Sequence, residues 1–184
     1  MKELVVLGVG NILQHDDAIA VYASQYISDN YTFSPDIDII NGGVEGINLL
    51  NFFMEYKYIL ILDAIEIEDE AGAIYHIPSE ELTGFGVNSG SAHDIGVLQC
   101  FELLELMGKK APKSSVLGIV PHKIDTHIGL SDTLYSKFDT YIQTLVAVLK
   151  DLNIEAVKND ANLSLDDVIE KFNNPRASTP NLPL

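Results

Sequence analysis

Residues Leu4 to Asp17, LVVLGVGNILQHDD, run from an unbroken apolar stretch through two glycines into a pair of acids. Four consecutive apolar residues read as a strand covered on both faces, because a half-exposed strand would alternate with polar positions. Gly8 and Gly10, with Asn11 behind them, predict a tight turn off the end of that strand. A strand that ends in Gly-x-Gly often precedes a nucleotide phosphate. Here the position of the fingerprint's third glycine holds Leu13, no phosphate-binding basic residue follows, and two adjacent carboxylates would repel phosphate. The turn presents acid instead.

The same kind of run recurs along the chain. Ile37 to Ile40, Tyr58 to Leu62, Ala73 to Ile77 before Pro78, and Val116 to Val120 before Pro121 all read as strands. Between them, apolar residues at helical spacing predict helices over about 17–28, 46–55, 93–107 and 131–152. Ser131 is placed to cap the last of these. Strand alternating with helix argues for an α/β fold: three layers, with a twisted, mostly parallel sheet and helices on both faces. Residues 1–158 read as one domain. Residues 159–184 read as a C-terminal tail, in which Ser164 to Phe172 can form one short helix capped by Ser164.

Bulk composition narrows the function. The chain has 184 residues, with 27 acidic against 11 basic, for a formal charge of −16. Such a surface repels a nucleic-acid backbone or an anionic membrane, so neither is expected as a partner. A single cysteine, Cys100, excludes an internal disulfide framework and a cysteine-rich zinc site. It shares a helical stripe with Leu104 and Met107 and reads as a small buried hydrophobe. No segment approaches the ~18–20 apolar residues of a membrane span, and a cytoplasmic setting is expected.

In an open α/β sheet, ligand chemistry gathers at the carboxyl ends of the strands. Asp16 and Asp17 follow the first strand, Asp63 ends the third, and His93 opens the helix that begins near Ser91. Each has an ordinary structural reading taken singly: a helix-dipole acid for Asp17, a turn residue for Asp63, a polar helix-start residue for His93. Taken together, two carboxylates and one imidazole make a usable site for a borderline divalent metal with coordination positions left open.

These residues resemble the hydrogenase maturation endopeptidases, which trim the large subunit of nickel–iron hydrogenases. The resemblance is carried in order by Leu7-Gly-Val-Gly-Asn-Ile-Leu13 with Asp16-Asp17, by Gly42-Gly43 and by Leu62-Asp-Ala64. It continues through Ser91-Ala-His-Asp-Ile-Gly96 and through Gly118 to Pro121 with His127 to Ser131. It spans roughly residues 4 to 157. It implies that Asp17, Asp63 and His93 contact nickel, that the nickel arrives with the substrate, and that the substrate is the hydrogenase large-subunit precursor. It further implies that Gly8, Gly10, Asn11, Gly42 and Gly43 shape the turns around that site.

The chain departs from the family pattern at several positions. Asp17 stands where relatives often carry Glu, and Ala18 and Ala20 where many have Gly. Asn41 stands before Gly42 where Asp is common, and an amide can hydrogen-bond but takes no proton at neutral pH. Asn41 and Asp16 are thus the two candidates for the catalytic group. A non-catalytic maturation chaperone on the same scaffold is an alternative that Asn41 favours. A receiver-like phospho-acceptor domain would also use Asp16, Asp17 and Asp63, but it leaves His93 without a role.

Overall fold

The computed structural model describes residues 2–44, 46–81 and 92–174, with backbone alone for 46, 47, 80 and 92–98. The opening apolar run is strand β1 (Lys2–Val9), buried from Leu4 onward. It is followed by α1 (Ile19–Asn30), β2 (Tyr31–Ser34), β3 (Asp38–Gly43), α2 (Leu50–Glu55) and β4 (Tyr56–Ala64). Then come β5 (Ile74–Pro78), α3 (Ala92–Leu106), β6 (Lys113–Ile119), α4 (Asp132–Asp151), β7 (Glu155–Lys158) and α5 (Leu165–Asn173).

Among the described residues, five strands form one sheet in the order β3-β1-β4-β6-β5, and β2 pairs with β7 apart from it. The β3-β1-β4-β6 pairs are parallel, while β5 runs antiparallel to β6 at the edge. The expected mostly parallel, three-layer sheet is therefore present. Period two decides which core each strand residue joins. Leu4 and Val6 of β1, Leu60 and Leu62 of β4, and Leu117 of β6 pack with Tyr22, Phe138, Tyr141 and Leu145 of α1 and α4. Val5 and Leu7, Ile59 and Ile61, and Val116 pack on the other side with Phe53, Cys100 and Leu104 of α2 and α3. Both faces are covered, which is why the strands are continuously apolar. Each buried Leu or Ile contributes about 2 kcal/mol.

The small β2–β7 ribbon has no counterpart in the sequence reading, since Tyr31 to Ser34 and Glu155 to Lys158 are too short and too polar to announce a strand. The tail differs as well. α5 carries a capping box between Ser164 and Asp167, and its Val168 is fully buried. Phe172 meets Tyr22 of α1 edge-on at 5.6 Å, and Lys171 pairs with Asp29 at 2.8 Å. Residues 159–174 thus belong to the packed domain and complete its core, while 175–184 lie outside the described residues.

Candidate active site

The parallel strands wind outward from β1 in both directions, to β3 on one side and β4 on the other. The carboxyl ends of β1 and β4 therefore meet at the switch point of the sheet, the place where open α/β sheets bind their ligands. Two devices shape the turn that leaves β1. Gly8 allows close packing of α1, since a Cβ there would lie 2.6 Å from the Ala20 carbonyl oxygen. Gly10 has φ +146°, and its Cβ would lie 2.0 Å from the carbonyl oxygen of Asp17. No side chain fits.

The Gly10 N–H donates to the Gly43 carbonyl at 3.1 Å, tying this turn to the end of β3. Asn11 forms the corner: its side-chain oxygen accepts from the Leu13 N–H at 3.0 Å, and its own N–H donates to Asp17 Oδ2 at 2.7 Å. A short 3-10 turn, His15–Ala18, then delivers both acids, and both are buried. Asp17 is 1% exposed.

Asp63 is 3% exposed and is the penultimate residue of β4. Tyr141 of α4 steadies this strand end from beneath. Its phenol donates to the Leu117 carbonyl at 2.7 Å and is also hydrogen-bonded by the Asp63 backbone. Burial, with the Asp63 charge close by, pushes the phenol pKa well above its ordinary value, so Tyr141 stays protonated.

Asp16 occupies a different environment from its neighbour. It is 0% exposed, and Oδ2 accepts from the His122 N–H at 3.0 Å, the Lys123 N–H at 2.8 Å and the Ser131 hydroxyl at 2.8 Å. Oδ1 accepts from the Ser131 N–H at 2.7 Å. A carboxylate held by four donors and shut off from solvent is suited to clasping two loops together. It is poorly suited to taking a proton from a substrate water, the role for which Asp16 and Asn41 are the two candidates.

His15 reinforces the clasp. It adopts φ 50° and places Nδ1 2.7 Å from Asp125 Oδ1, while its ring lies 4.5 Å from that of His127. Backbone hydrogen bonds from the His15 N–H to the His127 carbonyl, and from the His127 N–H to the Leu13 carbonyl, run alongside. The His15 hydrogen bond, with Lys123 close by, holds the Asp125 carboxyl below its usual range. Residue reading alone missed Ser131 as a partner of Asp16 and Asp125 as a partner of His15. Each pair is separated by more than 100 residues and leaves no periodic trace.

The two other expected site residues are placed as follows. Asn41 is exposed near the end of β3, opposite Gly8 of β1, where a register shift leaves Gly42 buried and Gly43 at φ +46°. His93 is the second residue of α3, so it stands in the first turn of that helix, and its side chain lies outside the described residues. Beyond the clasp, the exits of β4 and β6 border a cleft of about 490 Å³, lined by Glu66, Glu68 and Asp69 opposite His122 and Lys123. Among the described residues no group of three or more His, Cys, Asp or Glu side chains is placed to hold a metal, and none of the helices is long and apolar enough to cross a membrane.

A doubly wound α/β domain with buried acids at its switch point defines a class of protein, and sequence comparison assigns the family. The family model for hydrogenase maturation proteases, HycI, matches residues 21–148. The Hydrogenase 2 maturation protease of Escherichia coli is 29% identical over 159 residues, covering 86% of this chain and 97% of that protein. The solved hydrogenase maturating endopeptidase HybD from E. coli superposes with a TM-score of 0.77 at 28% identity, covering 86% of this chain and 98% of that one. The HybD maturation protease of Thermococcus kodakarensis shares the fold, with a TM-score of 0.64 at 22% identity over 80% of this chain and 99% of that one. The chain belongs to the hydrogenase maturation protease family and is an endopeptidase of that class.

Proposed function

We propose that the protein removes the C-terminal extension of a nickel-loaded large-subunit precursor of a nickel–iron hydrogenase, with Asp17, Asp63 and His93 recognising the substrate's nickel. The observation that carries this reading is the burial of Asp17 and Asp63 at adjoining strand ends of the switch point. Two buried carboxylates are favoured there if a cation approaches them, because hydrogen bonds or a positive charge must offset their desolvation.

Two carboxylates and an imidazole form a sparse donor set, whereas thiolates in a protein substrate bind nickel well. The division of ligands makes nickel part of the substrate and leaves coordination positions for the precursor's own groups. The metal then marks the precursor as complete and registers its C-terminal segment on the crevice. Asp16 acts through Asp17, by fixing the turn that carries it. Asn41, at the rim, offers amide N–H donors and an acceptor oxygen to orient a water and does not itself take the proton.

The test is intact-mass measurement of the precursor after co-expression with this protein. Loss of a C-terminal peptide is expected when nickel is supplied, no loss when it is withheld, and no loss with Asp17→Ala or His93→Ala. A nickel-loaded precursor that keeps its full mass while co-purifying with the wild-type protein would overturn the reading.

A further inference from the structure

At the opposite end of the sheet, the amino ends of β4 and β6 border a second groove, of about 600 Å³. Its floor is apolar: Phe53, Tyr56 and Leu104 are buried beneath it, with Met54 and Pro112 on its walls. Its rim carries Lys57, Lys109, Lys110 and Lys113, all exposed. These are four of the chain's eleven basic residues, gathered on one groove of a molecule with a net charge of −16. Lys57 reaches Glu3 at 2.5 Å, and Lys109 lies with Nζ 3.1 Å from Met54 Sδ.

The end of α3 sets this arrangement. Gly108 at φ +64° turns the chain, and the Lys109 N–H closes back on the Leu104 carbonyl at 2.8 Å. The last turn leaves Leu106 82% and Met107 49% exposed just before the lysines. An apolar floor with a cationic rim and exposed apolar neighbours matches an acidic segment anchored by a large apolar side chain.

We propose that this groove is a docking site for such a segment, carboxylates flanking an apolar anchor, on the precursor protein that the active site processes. The identity of the occupant rests on the processing assignment above. β4 separates the groove from Asp63 by roughly 25 Å, so a segment bound here orients the substrate without touching the reacting bond.

Steady-state processing of nickel-loaded precursor separates the possibilities. Lys109→Glu/Lys110→Glu is expected to raise KM by about tenfold at low salt with kcat unchanged, an effect that shrinks as salt screens it. Lys109→Arg/Lys110→Arg should behave as wild type. Lys150→Glu/Lys158→Glu, with the same net charge but remote from the groove, should leave KM in place. Equal KM values for the two Glu double variants overturn the proposal. A wild-type dimer that Lys109→Glu/Lys110→Glu dissociates while KM is unchanged also overturns it and gives the groove to a second copy. If the wild-type protein binds precursor without cleaving it, the processing assignment fails. Calorimetric binding then reads the groove alone: weaker binding by Lys109→Glu/Lys110→Glu supports it, and equal binding rejects it.

Discussion

Asp16 and Asp17 are chemically identical and adjacent, yet their surroundings assign them different work. Asp16 is enclosed by the His122 and Lys123 amides and by Ser131, whereas Asp17 is held by the Asn11 amide at the mouth of β1. Asp16→Ala would leave four donors without their acceptor in a buried space and is expected to cost about 2–4 kcal/mol in urea unfolding, with activity lost along with the loop. Asp17→Ala should cost only about 1 kcal/mol in the same measurement while abolishing precursor processing. Gly10→Ala adds a Cβ that would meet the Asp17 carbonyl at 2.0 Å, so it should cut both expression of folded protein and processing. The glycines and the acid pair were legible as a turn that presents acid. Which of the two acids is clasped was not, because the deciding partners lie in the segment from His122 to Ser131.

The elements show a similar division. α4 was readable from its apolar stripe and its Ser131 cap, and both are present: the Ser131 hydroxyl accepts from the Leu134 N–H at 3.3 Å. The same hydroxyl donates to Asp16, so one side chain starts a helix and locks the turn that carries both acids. Ser131→Ala should therefore lose about 2–3 kcal/mol, above the ~1 kcal/mol typical of a cap alone, as measured by thermal or urea melts. α5 is the contrasting case. Its capping box is local and was visible, whereas its docking on α1 depends on Val168 and Phe172 finding a surface that the sequence does not display. Val168→Ala is expected to destabilise the whole domain by about 1–3 kcal/mol in a single cooperative transition. A loose tail would instead show no change.

Across the whole molecule, the strand order brings distant groups together at both ends of the sheet. At the amino end, Asp38 Oδ2 accepts from Tyr56 OH at 2.7 Å and from Lys2 Nζ at 2.9 Å, joining β3, β4 and β1. The Tyr56 hydrogen bond, followed by that of Lys2, lowers the Asp38 pKa below 3.8. The folded state thus binds this proton less tightly than the unfolded chain does. The tie stabilises the fold at neutral pH and is lost as pH falls through the folded value. Solvent screens the half-exposed pair, so Asp38→Asn should cost only about 0.5 kcal/mol near neutral pH. The difference from wild type should vanish in urea titrations well below pH 3.8.

What the sequence determined by itself is what local chemistry controls. Continuous apolar runs required strands buried on both faces, helical stripes set the layers, and Gly8, Gly10 and Asp17 marked a turn that presents acid. The tertiary structure alone decided the order β3-β1-β4-β6-β5, and hence that Asp17 and Asp63 share one switch point. It also decided that Asp16 closes a clasp with Ser131 and that four lysines scattered from Lys57 to Lys113 border one groove. These are contacts between residues far apart in the chain. They follow from which strands lie side by side, and periodicity and spacing along a single segment carry no record of that.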